Sequence, residues 1–272
     1  MTPPPPATPD GTAPALRARP VRHDSTAAHL ARTTATARRV LRQLAHDPRT
    51  VALLLLVPVL LLILLRYVFD ADRTGFSRIG ASLLGVFPLV TMFLVTSIAT
   101  LRERSGGTLE RLLTMPLARG DLVAGYALAF GGLAVVQAAL ATGAAVLVLD
   151  LRLAGSPWLL LVVAVLNALL GMALGLFVSA FAATEFQAVQ FFPAVIVPQI
   201  LLCGLFVPRD SMQPVLSAVS DVLPLSYSVD GMTEVVAHPG VTANYVRDVI
   251  VVAAVAAAVL ALGAATLRRR TP

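Results

Sequence analysis

Most of the side chains that could recognise a partner fall in one stretch, Leu101–Gly125 (LRERSGGTLERLLTMPLARGDLVAG), set between two long apolar runs. Arg102, Glu103 and Arg104 end the first run with charge, Ser105, Gly106 and Gly107 allow a turn, and Thr108 to Met115 fit two helical turns before Pro116. Leu109, Leu112, Leu113 and Pro116 repeat at i, i+3, i+4, i+7, so the short helix has one apolar face, with Glu110, Arg111 and Thr114 pointing elsewhere. The chemistry on offer is charge-pair docking: a carboxylate and a guanidinium on a surface helix can meet complementary charges on another polypeptide. A loop of this kind can also be merely solvated. Asp121 stands just before the next apolar run, where its carboxylate is placed to cap a helix N-terminus.

Bond-making chemistry lacks its residues. His23, His29, His46 and His238 lie outside the apolar runs, no H-E-x-x-H or paired cysteine occurs, and the single Cys203 reads as a packing residue, so no metal, haem or proton-relay site is expected. All 21 basic residues are arginine. Without lysine the chain has no P-loop lysine to reach nucleotide phosphates, so it cannot hydrolyse ATP by that route and no cofactor is expected on it. The lysine-free, Ala- and Leu-rich composition points to a GC-rich bacterial genome.

The elements that must carry the charged stretch are membrane spans. Hydrophobic residues are 57% of the chain and charged residues 13%, against about 25% charged in soluble domains. An all-α integral membrane protein follows, with six spans expected at Thr50–Phe69, Ile79–Leu101, Leu122–Leu149, Pro157–Phe181, Phe186–Val207 and Val246–Leu267. Pro58 is expected to kink the first. Residues 1–25 are Pro-, Ala- and Thr-rich and are expected to be disordered. Residues 26–48 read as a basic amphipathic interfacial helix, with Leu30, Ala37, Val40, Leu41 and Leu44 on one face, suited to anionic membrane lipid rather than nucleic acid. The six-span domain then occupies 49–272. With the N-terminus inside, the inner segments hold 15 of the 21 arginines, which places both termini and the 102–121 loop in the cytoplasm of a bacterial plasma membrane. The stretch 208–245 is too interrupted by Asp221, Pro224, Asp230 and Glu234 to span and too apolar to be a free loop, so short helices half-sunk in the outer leaflet are expected.

Polar residues inside the spans have two readings each. Gln137 and Asn167 can bond neighbouring helices or mark a substrate path, and Gln187, Gln190 and Gln199, beside Pro193 and Pro198, can line a cavity or simply pack. Gly171 and Gly175, with Ser179 one turn on, form a small ridge for close helix approach, within the chain or across a dimer. Glu185, between the fourth and fifth spans, is either a solvated boundary charge or a contact for the loop helix or a partner.

Two motifs carry a family resemblance. Glu103 and Arg104, Gly107–Glu110 (Gly-Thr-Leu-Glu), Pro116 and Gly125 resemble the cytoplasmic loop of type 2 ABC exporter permeases. The family often has a lysine where Tyr126 stands. Leu223, Pro224, Leu225, Tyr227 and Asp230 resemble the Pro-Leu-x-Tyr-x-x-Asp pattern of the family's outer re-entrant hairpin. The resemblance implies that the short helix is a coupling helix, with Arg102, Glu103, Arg104, Gly107, Thr108, Leu109, Glu110, Arg111, Pro116 and Glu185 as coupling residues. It also implies a separate ABC ATPase subunit carrying ATP and Mg, a second permease copy forming a homodimer, and export of an amphipathic drug or antibiotic-like compound. Polysaccharide or lipid-linked glycan export is the alternative in transport, weakened by an aromatic content of 6%. A membrane-anchored sensor or scaffold is the alternative of another class.

Overall fold

The computed structural model describes residues 26–105 and 119–266. Every element among them is helical: α1 (Thr26–Ala45), α2 (Pro48–Val68), α3 (Arg73–Ser105), α4 (Arg119–Leu147), α5 (Pro157–Ser179), α6 (Glu185–Val195), α7 (Val197–Leu202), a 3₁₀ turn at Arg209–Ser211, α8 (Pro214–Ser220), α9 (Pro224–Ala237) and α10 (Ala243–Thr266). Six stretches are long and apolar enough to cross a membrane: α2, Arg73–Glu103, Gly120–Leu147, α5, α6 with α7, and Ala243–Gly263. The chain is therefore a multi-pass membrane protein.

Local chemistry sets the boundaries. Asp47 ends α1 and caps α2, accepting from the Thr50 backbone N–H at 3.2 Å and the Thr50 hydroxyl at 2.6 Å, with Pro48 at the start of the new helix. Those hydrogen bonds hold the Asp47 carboxyl below its usual value. The cap is therefore in place above pH 3.8 and is lost as pH falls through the lowered value. Asp72 does similar work at α3, accepting from the Gly75 N–H at 2.8 Å, so that helix begins six residues before the expected Ile79.

At the centre α3 and α5 lie side by side, each with 61% of its spanning window buried, against 17% for α2, for α6 with α7, and for α10. The contact follows the i, i+4 ridges of both helices. A Cβ on Gly85 would stand 2.8 Å from the Asn167 amide nitrogen, one on Gly171 would stand 2.1 Å from the Leu89 carbonyl oxygen, and one on Gly175 would stand 2.6 Å from that of Phe93. Only glycine admits so close a backbone approach. The Gly171–Gly175–Ser179 ridge is thus used within the chain; Ser179 is fully buried, its hydroxyl turned back onto the Leu176 carbonyl at 2.7 Å. Around this seam α4 covers one side through Tyr126, Ala129, Phe130 and Ala134, and α9 and α10 the other through Leu225, Val229 and Val252.

Two expectations change. The fifth span is broken at Ile196 into α6 and α7, because Pro193 and Pro198 remove two N–H donors from its ladder, and it ends at Leu202 rather than near Val207, just before Gly204 with its positive φ. In α1, Ala37 and Val40 are buried and Leu44 is partly buried, but Leu30 and Leu41 are 66% and 44% exposed. The packing face is Thr33, Thr36, Ala37, Val40 and Leu44, since Gly125 of α4 brings α1 so near that a Cβ there would meet the Thr36 Cβ at 2.5 Å and the Thr33 carbonyl at 3.0 Å. Small residues win that face over the larger leucines.

Pro58 leaves the Leu54 carbonyl without its helical donor. Gln137 of α4, fully buried, supplies one: its amide nitrogen lies 3.1 Å from the Leu54 carbonyl and 2.7 Å from the Thr91 hydroxyl of α3. One amide therefore joins three spans. Gln137→Leu should lower stability by about 1 to 2 kcal/mol, the cost of orphaning a backbone acceptor in apolar surroundings. Pro58→Ala restores a backbone donor to Leu54, so Gln137→Leu should cost less in that background when unfolding is followed in bicelles. Equal costs in the two backgrounds would break the assignment.

Candidate functional site

The charged groups collect where α3 ends and α4 begins, on either side of residues 106–118. Glu103, in the last turn of α3 and only 9% exposed, accepts both guanidinium nitrogens of Arg39 at 3.0 and 3.2 Å. Asp121, in the first turn of α4 and also buried, faces α1: His29 Nδ1 lies 2.8 Å from one oxygen, and Arg32 reaches the other at 3.8 Å. Residues 29 and 39 are ten apart on α1, about 15 Å along its axis. One helix therefore ties both ends of the loop at once.

A third pair ties the same end of the bundle to the fifth span. Arg102 donates to Glu185 through Nε at 2.8 Å and through a terminal nitrogen at 3.1 Å, but both side chains are about half exposed. Screening makes such a pair worth about 1 kcal/mol or less. The Arg39–Glu103 pair is shielded by the packing of α1, so removing one partner strands a charge in a poorly hydrated place, at about 2 to 3 kcal/mol. The stronger pair holds α1 to the end of α3 and the weaker one holds α6.

Of the residues singled out from sequence, Arg102, Glu103 and Glu185 sit in this layer, and Arg104 lies in the last turn of α3. Gly107, Thr108, Leu109, Glu110, Arg111 and Pro116 lie outside the described residues. The polar residues in the spans bond to different neighbours. Gln137 bonds α2 and α3, while Asn167 accepts from Ser228 of α9 and its amide nitrogen has no partner. Gln187 closes the start of α6 by accepting from the Ala183 N–H at 2.8 Å; Gln190 is exposed, and Gln199 donates to the Val195 carbonyl at 3.0 Å. Cys203 is buried, its thiol against the Ile200 carbonyl.

At the opposite end of the bundle Arg209 is the hub. It donates to Asp221 and Asp230, its guanidinium lies 5.5 Å from the Tyr227 ring centre, and its stem rests on Gly204, whose φ of +89° suits glycine. Tyr227 in turn donates to the Asp221 carbonyl at 2.7 Å. Tyr227 and Asp230 of the Pro-Leu-x-Tyr-x-x-Asp pattern are thus the groups that hold Arg209. Burial pushes the Asp230 carboxyl up, and Arg209 opposes it.

Sequence reading missed His29, Arg32 and Arg39 as partners of the loop ends, since they looked like headgroup-facing charges. It also missed Asp248, which is 1% exposed in α10 and paired with Arg247. A carboxylate two residues inside an expected span was the available signal for it.

A family model described as ABC-2 type transporter matches residues 32–236, from α1 to the end of α9, taking in both charged ends of the bundle. The chain belongs to the ABC-2 type transporter family. Among curated relatives of this ABC-2 protein, the probable multidrug ABC transporter permease YbhS of Escherichia coli is 26% identical over 65% of the chain and 47% of its own length. The linearmycin resistance permease protein LnrN of Bacillus subtilis is 25% identical over 73% of the chain and 51% of its own length. The probable multidrug ABC transporter permease YbhR of Escherichia coli is 28% identical over 55% of the chain and 40% of its own length. The ABC-2 chain thus spans about half the length of the curated relatives it matches.

The unequal strength of the pairs is testable by melting the purified protein. Glu103→Gln and Arg39→Gln should each destabilise by about 2 to 3 kcal/mol, and the swap of the two charges should recover part of the loss. Glu185→Gln should stay within about 1 kcal/mol of the parent. A Glu185→Gln loss as large as that of Glu103→Gln would refute the ranking.

Proposed function

We propose that this chain is the permease subunit of an ATP-driven ABC exporter that moves an amphipathic drug or antibiotic-like compound out across a bacterial plasma membrane. Two copies would form the path, and two copies of a separate ATPase, carrying ATP and Mg, would supply the energy. The observation that carries the reading is the clamp of α1 on both ends of the 106–118 loop in a chain of the ABC-2 type transporter family. A segment that receives force from a partner must pass it to the spans rather than absorb it, and the contacts of α1 with Glu103 and Asp121 support that. The names of the relatives, two multidrug permeases and a linearmycin resistance permease, support a drug-like cargo over a glycan. The apolar faces left open on α2, α6 and α10 provide surface for lipid and for a second copy.

The arginine distribution supports cytoplasmic termini and loop. In a Cys203→Ala background, cysteines introduced at Asp72, Ser156 and Pro239 should react with an impermeant thiol reagent added outside whole cells. One introduced at Gly106 should react only after permeabilisation. Labelling of Gly106 from outside would invert the orientation.

Glu110 and Arg111 are the docking residues in this reading. Glu110→Arg should abolish co-purification with the ATPase and substrate efflux at unchanged membrane expression, and Glu110→Ala should weaken both by less, because reversal adds repulsion to the lost attraction. Full ATPase binding and efflux by Glu110→Arg would sink the docking role. A scaffold would instead fail on deletion of residues 1–24, which an exporter should largely survive.

A further inference from the structure

A polar hollow lies at the end of the bundle away from residues 106–118. It is a cavity of about 570 Å³ between the first turns of α3 and the 204–233 segment, within the size range of small-molecule sites. Arg78 stands on its wall some 27 residues before the end of α3, so about 40 Å of helix separates it from the loop. That puts the cavity at the headgroup level of one leaflet, whichever way the chain is oriented.

Its charges are arranged unevenly. Arg209 is neutralised by Asp221 and Asp230 in the middle of the wall. Arg78 and Asp210 also line the cavity, and both side chains are exposed. Neither side chain makes an ion pair or hydrogen bond with any described residue, and the two do not pair with each other. An unpaired cation and an unpaired carboxylate thus face one hollow, which carries three carboxylates against two guanidinium groups overall. Leu205, Phe206, Ile79 and Val229 add apolar wall beside them, with Phe206 67% exposed. A ligand that meets all of this bears an anionic and a cationic group joined to an apolar body. A purely anionic ligand meets the surplus of carboxylates.

We propose that this cavity is a binding site for a zwitterionic phospholipid headgroup, of the phosphoethanolamine type. The phosphate pairs with Arg78, the ammonium pairs with Asp210 and the Asp221 edge, and the first part of the acyl chains runs along Phe206 and Leu205. The same chemistry could be offered by the charged end of a transported amphiphile, and the test separates the two.

The full chain, purified and reconstituted in nanodiscs of equal phosphatidylethanolamine and phosphatidylglycerol, is released for native mass spectrometry. Phosphatidylethanolamine should be the retained lipid. Arg78→Gln and Asp210→Asn should each lower its retention about tenfold, the loss of about 1.4 kcal/mol of charge-assisted bonding. Both are exposed positions, so folding is preserved and is checked by an unchanged melting curve. Equal retention of phosphatidylglycerol, or parent-like retention of phosphatidylethanolamine by both variants, overturns the site. So does loss of efflux in variants that keep the lipid, which would give the cavity to cargo. Lipid binding needs neither ATPase nor transport, so the exporter reading and the lipid site can fail separately.

Discussion

The distance between two backbones at the seam of α3 and α5 governs the rest of the molecule. Carbonyl oxygens of Leu89 and Phe93 stand where the Cβ atoms of any larger residues at 171 and 175 would be. In lipid there is little hydrophobic gain from pressing two apolar helices together, so close van der Waals contact of this kind is what makes one arrangement better than another. Once the seam is set, Asn167 one turn before Gly171 meets both Gly85 and Ser228, which positions α9 against the central pair. The core clusters on both sides of the seam are built out from those same helices.

Charge is organised differently. It is excluded from the seam and concentrated at the two ends, where each cluster is built around a buried or half-buried group from a distant part of the chain. Near the loop these are Glu103 and Asp121, paired with α1. At the far end it is Arg209, paired with two carboxylates and a tyrosine ring. The bundle thus has an apolar middle that sets its shape and ionic ends that tie short peripheral helices to it.

The spans were legible in the sequence because a run of about 20 apolar residues has few other uses. The close approach of a helix at Gly171 and Gly175 was legible for a similar reason, though whether it came from the same chain was not. The clamp was not legible. Its hydrogen bonds join residues separated by 64 and 92 positions, and nothing in the local pattern of Arg39 or His29 distinguishes a partner of Glu103 or Asp121 from a charge facing headgroups. The face of α1 was misjudged because side-chain size suggested the leucines, whereas the neighbouring glycine favoured threonine and alanine. Gln137 was legible as a polar group bonded between helices, but its acceptor was not, since that depends on which span Pro58 packs against.

The break at Ile196 changes how the fifth span responds to load. Pro193 and Pro198 have already removed the i+4 donors to Val189 and Ala194, so the bonds that normally resist bending of a helix are missing on both sides of the joint. The Gln199 amide nitrogen donates to the Val195 carbonyl at 3.0 Å and so leaves the Val189 and Ala194 carbonyls as they are. Bending there costs side-chain repacking rather than ladder bonds. The span is therefore two short rods joined at one point, and any bending of it concentrates there.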